Sequence, residues 1–295
     1  MITVIWSGLA VGAIYALIAL CYNLSYVTSG VLNFAVAHLV VLGGFVGWWL
    51  IEGLGLPLAV AIVICGLVGA AVGLIEERIA IAPLRVINER TGGGHGYGEL
   101  ISTIGFATVI TGISFIIWGG DARELTLFAN DTRMNILGGG VLRKDLLLIA
   151  TAIAVAVGIW LWTKYSRSGI ACAAQTEDRD AAMLHGINVR RLSYVGFAAV
   201  GGLCAVLGPV VGAKTLLVVA AALVLAIKGF VALTLGGVGS CFGVLLAGFA
   251  LGIAEAATAR WLGPEYRNLV VFALFLIFLL ARPGGMAAKG GRRTI

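Results

Sequence analysis

Charge is the scarcest property of this chain. Asp, Glu, Lys and Arg make up 12% of its 295 residues, whereas hydrophobic residues make up 60%. A soluble globular domain is about one quarter charged, so this shortage excludes a water-soluble fold, and the mean hydropathy of +1.05 points to a bilayer. The apolar runs do not alternate with polar residues over about ten positions, which excludes a β-barrel and leaves helices as the spanning elements. The opening "MITVIWSGLAVGAIYALIALCYNL" has no basic leader segment and no clear cleavage site, so it reads as a retained first span.

Chemical motifs are equally sparse. The five cysteines (Cys21, Cys65, Cys172, Cys204 and Cys241) form no CxxC pair, and all but Cys172 fall in apolar runs, where a thiol acts as a small hydrophobe. His38, His95 and His185 have no HExxH spacing, so no metal site is expected. There is no GxSxG elbow, and Ser240 in "GGVGSCFG" has no evident base nearby in sequence, so no catalytic residue is assigned. The glycine-rich "TGGGHGYGEL" lacks the Gly-Lys-Ser/Thr ending of a phosphate loop and reads as a flexible connector. The net charge of +6 lies in loops and does not imply nucleic acid.

What is present is a series of long apolar segments, read at 1–24, 31–51, 57–82, 101–118, 146–163, 192–212, 216–236, 241–259 and 267–282. The 216–236 segment could be a short or broken helix. The fold class is therefore all-α, a polytopic membrane bundle of eight to nine helices forming a single domain over 1–295. Basic residues concentrate in the 83–99 connector and its flanks (Arg78, Arg85, Arg90), in the 164–191 connector (Lys164, Arg167, Arg179, Arg190, Arg191) and in the tail (Arg282, Lys289, Arg292, Arg293). These regions should face the cytoplasm, with the N-terminus outside and the C-terminus inside. In the 119–145 segment, Arg123, Arg133, Arg143 and Lys144 are balanced by Asp121, Glu124, Asp131 and Asp145.

Many of the 43 glycines recur at helical spacing, including Gly43 and Gly47, Gly69 and Gly73, Gly208 and Gly212, Gly239 and Gly243, and Gly248 and Gly252. Small residues let membrane helices approach closely, so these are read as packing positions. Against that apolar ground, Asn33, His38, Lys228 and Glu255 stand out, because an ionisable group inside a span normally faces a bundle interior or an aqueous path. Lys228 and Glu255 lie on neighbouring spans and are expected to face inward as a pair. Lys214, near a span end, is expected to snorkel to the interface.

The 164–191 connector holds "EDRDAAMLHGINVRRL", which reads as a short helix over 177–186. Glu177, Asp178 and Asp180 favour its start, Ala181, Ala182 and Leu184 give it a small apolar surface, and Gly186 stops it before Ile187. Such a helix is either a solvated connector or a docking element for a cytoplasmic partner.

Three stretches then resemble the permease subunits of branched-chain amino-acid ABC importers, specifically the shorter of the paired permeases. They are "GLAVGAIYALIALCYNLSYVTSGVLNFA", "AAMLHGINVRRL" and "KGFVALTLGGVGSCFGVLLAGFALGIAEA". The resemblance implies a membrane domain working with a second permease, two cytoplasmic ATPase subunits and an extracytoplasmic solute-binding protein. It implies a bacterial or archaeal cytoplasmic membrane. ATP and magnesium would then be bound by the partner ATPases, with no cofactor in this chain. It also places the loop around Asp178 to Gly186 at the ATPase contact. Where relatives usually read "NFAHGE", this chain has Asn33-Phe34-Ala35-Val36-Ala37-His38, so a histidine stands at the usual acid. An ion-coupled carrier using His38 or Glu255 is the rival reading, and an intramembrane enzyme the third. The carrier reading lacks a visible inverted pair of broken, charged helices.

Overall fold

The computed structural model describes residues 2–91, 97–127, 133–136 and 139–281. Outside the described residues lie the 92–96 part of the glycine-rich connector with His95, Asp131, and the tail basic residues Arg282, Lys289, Arg292 and Arg293; so do the side chains of Arg90, Arg133 and Asp180.

Among the described residues, seven helices are long and apolar enough to cross a membrane, and two shorter apolar helices accompany them. Helix α1 (Ile2–Ser29) is followed by α2 (Val36–Trp48), which continues as a wider π-turn to Gly53. Helix α3 (Leu58–Glu76) runs through a second π-turn into α4 (Ala82–Thr91), and α5 covers Tyr97–Trp118. A small antiparallel hairpin, β1 (Arg133–Ile136) and β2 (Gly139–Leu142), precedes α6 (Arg143–Tyr165). Two connector helices, α7 (Arg167–Glu177) and α8 (Arg179–Leu184), lead to α9 (Val189–Gly212). The last three are α10 (Ala221–Gly236), α11 (Cys241–Trp261) and α12 (Arg267–Ala281).

Helix α1 is the axle of the bundle. Every residue from Ala13 to Leu24 is buried, as expected of a helix that is apolar all round. It lies antiparallel to α11, and the contact is made by glycines: a Cβ on Gly12 would meet the α11 backbone at Gly248 and Phe249, and one on Gly252 would meet Gly12. Gly248 packs against Ala16 in the same seam. A second seam joins α9 to α2 and α3. There Gly43 faces the Ala205 backbone, Gly47 the Pro209 ring, Gly69 faces Gly201, and Gly73 faces Phe197. Backbones this close gain van der Waals contact that the hydrophobic effect does not supply in lipid.

Several expectations are corrected. The second helix begins at Val36 rather than residue 31, so Gly30–Ala35 forms a break and Asn33 sits inside it. Gly239 is not a helix-packing position: it has φ +90°, no atom near its missing Cβ, and a place in the α10–α11 turn. Its spaced partner Gly243 does meet the Gly236 backbone across that turn. Lys214 reaches one end of the bundle, where its ammonium lies 2.6 Å from the Asp145 carboxylate. The 164–191 connector contains an unexpected eleven-residue helix, α7.

Two ends of the bundle carry different chemistry. At one end Glu52 accepts the Thr126 N–H, Arg123 exchanges backbone hydrogen bonds with Leu217, and Lys214 meets Asp145. At the other end the α1–α2 break, the start of α5, and α7 and α8 converge. This second end carries the basic connectors that are expected from the sequence to face the cytoplasm.

Candidate functional site

Hydrocarbon makes an unpaired polar group costly, so the polar residues inside the bundle are traced from their partners outward. The α1–α2 break is held by Asn33. Its Oδ1 accepts the Ala35 N–H at 2.7 Å, and its Nδ2 donates to Glu76 Oε2 at 2.9 Å. Thr103 Oγ1 accepts the Phe34 N–H at 3.2 Å. The N–H groups of the two residues just before α2 are thereby satisfied inside the break. Both Asn33 and Glu76 are fully buried.

One residue on, Glu77 begins a different arrangement. Arg85 lies 3.0 Å from Glu77 Oε1 and 3.6 Å from Glu99 Oε1, and it donates to the Ser29 carbonyl at 3.1 Å. All three charged side chains are buried. This cluster ties α3, the turn after it, α5 and the end of α1 together, and it includes groups that the sequence reading missed. A signal was present: the expected span 57–82 carries Glu76, Glu77 and Arg78, and charges within a span are functional candidates by default. Glu76 and Glu77 stand within that span unweighed in the sequence reading.

Lys228 and Glu255 do meet. Lys228 Nζ is 2.9 Å and 3.0 Å from the two Glu255 carboxylate oxygens, and Tyr15, also missed from sequence, completes a triangle. The Tyr15 hydroxyl donates to Glu255 Oε2 at 2.7 Å and accepts from Lys228 at 3.1 Å. The three side chains come from α10, α11 and α1.

His38 stands apart from both clusters. It lines a cavity of about 270 Å³ with Phe34, Ile104, Thr108, Leu223 and Phe230, between α2, α5 and α10. Its exposure is 9%, and its Nδ1 has no hydrogen-bond partner. The wall is otherwise apolar, with Phe34 packed on Phe230 at a ring distance of 5.4 Å. Such a chamber can hold a small solute with an aliphatic body and offers it one imidazole.

In the connector, the helix expected over 177–186 is shorter. Glu177 ends α7, and Asp178 breaks the chain with extended backbone (φ −152°). Asp178 then caps α8, accepting the Ala181 N–H at 3.0 Å, a serviceable N-cap. Gly186 terminates it at φ +81°, the left-handed position that favours glycine. Ala182 is buried, Ala181 and Ile187 are half-buried, and Leu184 is 89% exposed beside an exposed Met183. No group of three or more metal-ligating side chains occurs among the described residues.

Comparison with known proteins agrees over nearly the full length. Residues 4–279 match the family model described as branched-chain amino acid transport system / permease component. The high-affinity branched-chain amino acid transport system permease protein LivH of Escherichia coli K12 is 30% identical, covering 96% of this chain and 94% of the relative. The permease protein BraD of Pseudomonas aeruginosa is also 30% identical with the same coverage. A probable branched-chain amino acid transport permease of Methanocaldococcus jannaschii is 25% identical over 96% of this chain and 90% of its own length. No solved structure matches.

Proposed function

This chain belongs to the branched-chain amino acid transport permease family, and from that membership we propose that it is one membrane-spanning subunit of an ATP-driven importer. Its cargo is a branched-chain amino acid or a related small polar, amide or carboxylate solute. It is a multi-pass protein of the bacterial or archaeal cytoplasmic membrane. Its partners are a second permease subunit, two cytoplasmic ATPase subunits that bind ATP and magnesium, and an extracytoplasmic solute-binding protein. The chain itself performs no covalent chemistry on the solute.

The observation that carries the coupling role is α8. A six-residue helix capped at Asp178 and stopped at Gly186 presents Met183 and Leu184 on its outer face, where no described residue covers them. An exposed apolar tip on a capped, short helix suits a cleft on a partner. Through α7 it is continuous with the Gln175 side chain, whose amide donates to the Thr28 carbonyl at the end of α1. Movement of α8 on ATP binding therefore reaches α1 directly. Alternating access would follow as α1 and the α2 break reorient beside the His38 chamber, with Asn33 and Glu76 holding that break.

The test is reconstitution. Leucine uptake requires ATP and the co-expressed partners, and Leu184→Asp abolishes uptake while leaving the chain membrane-inserted and stable. Uptake by this chain alone, driven by an ion gradient, would overturn the reading and favour a secondary carrier. His38→Ala with wild-type assembly and altered solute selectivity supports the chamber as part of the path. Wild-type selectivity would remove it.

A further inference from the structure

At the end expected to face the cytoplasm, a second cavity of about 290 Å³ lies between Tyr26, Gly30, Glu99, Gln175, Asp178 and Arg179. It is distinct from the His38 chamber and shares no lining residue with it. Its walls come from the end of α1, the α1–α2 break, the start of α5 and the α7–α8 junction.

Two of its polar groups are deeply buried, and each has an oxygen without a hydrogen-bond partner. Gln175 is 6% exposed and Glu99 is 2% exposed, and the unpartnered atoms are Gln175 Oε1 and Glu99 Oε1. Both are acceptors. Leaving such groups unsatisfied is costly in a native protein. The Arg85 Nε donor stands 3.6 Å from Glu99 Oε1, beyond hydrogen-bond distance, and a species that brings donors into the cavity satisfies both oxygens. Glu99 brings a carboxylate to this wall; it shares Arg85 with Glu77, and Arg179 at the rim lies within electrostatic reach of Glu77.

We propose that this cavity binds the ammonium end of a small amine or amino acid, and that the imported amino acid, accumulating inside, occupies it and slows its own uptake. The second half rests on the importer reading; the first does not. A leucine-sized molecule fits the volume. Its ammonium meets Glu99 and Gln175, and its body lies along Tyr26 and Val31. Because the cavity spans the α1–α2 break and the α7–α8 junction, an occupant ties the membrane helices to the coupling helix. Any motion that separates them must then release it first.

The test uses the complete importer in proteoliposomes, preloaded with leucine, isoamylamine (ammonium without carboxylate) or isocaproate (carboxylate without ammonium). Leucine and isoamylamine inside lower the initial rate of ATP-driven leucine uptake, and isocaproate does not. In Gln175→Leu and in Glu99→Gln, each scaled to its own uninhibited rate, the half-inhibiting internal concentration rises about tenfold, the effect of losing a hydrogen bond to a charged group. Equal inhibition by isocaproate, or unchanged half-inhibition in both variants, would overturn the proposal while the importer reading survives. Should the complex import nothing, the importer reading fails, and the site is decided by thermal melting of the purified complex. Stabilisation by isoamylamine but not isocaproate upholds it, whereas no shift with either means that the cavity holds water only.

Discussion

The bundle buries two charged clusters that are built on opposite terms. In the Tyr15–Lys228–Glu255 triangle every polar atom has a partner, and three helices are pinned through it. In the Glu76, Glu77, Arg85 and Glu99 group, each of the four side chains retains one buried atom without a hydrogen bond. A satisfied network specifies one geometry, whereas a partly satisfied one has little to lose on rearrangement. The first cluster joins α1 to α10 and α11, the seam packed by glycines on both sides. The second joins the break after α1 to the turn after α3, close to the α7–α8 junction. The contrast separates a pinned frame from a region free to rearrange under the proposed coupling.

The largest expected effect tests the frame. Glu255→Ala leaves a buried ammonium without its carboxylate, which costs about 3–5 kcal/mol, read as a large fall in the detergent melting temperature. The Lys228→Met/Glu255→Leu double variant recovers most of that loss; if it does not, the triangle has a role beyond pinning. Next, Glu99→Gln removes one of the two carboxylates that share Arg85 and costs about 2 kcal/mol, the scale of hydrogen bonds to charged groups, yet lowers uptake more than its melting temperature accounts for. A stability loss equal to that of Glu255→Ala would erase the distinction between the clusters. Tyr15→Phe removes one member of the satisfied network and costs about 1 kcal/mol, with uptake per folded molecule unchanged. The smallest effect is Glu76→Gln. It keeps an acceptor for Asn33 and shifts stability by no more than about 0.6 kcal/mol, the average for an interhelical hydrogen bond, measured by the same melting assay.

How these clusters relate to the sequence follows from their physics. The spans were legible because each apolar run must by itself be long enough to cross the bilayer. Lys228 and Glu255 were legible because single charges in long apolar runs have no other explanation. Glu76 and Glu77 were obscured by position: acids beside Arg78 at a span end look like an interface, and only the turn that carries α3 on into α4 keeps them inside. The break at Gly30–Ala35 was hidden for a similar reason, since Asn33 supplies by side chain what a helix supplies by backbone. Helix α7 carries no apolar stripe that would announce it.

The turn at Gly237–Ser240 has a consequence for the surrounding lipid. Helix α10 has 16 residues and is about 24 Å long, while the hydrocarbon core is about 30 Å thick. The helix is thus shorter than the acyl layer, and the turn after it is held from inside the bundle, where Asn23 on α1 accepts the Gly239 N–H at 2.6 Å. Lipids beside so short a helix must shorten or splay to meet it, at a fraction of a kcal/mol for each ångström of mismatch. Acyl-chain length thereby becomes a term in the energy of the fold: a thick, ordered membrane opposes the short helix, and a thin, fluid one accommodates it.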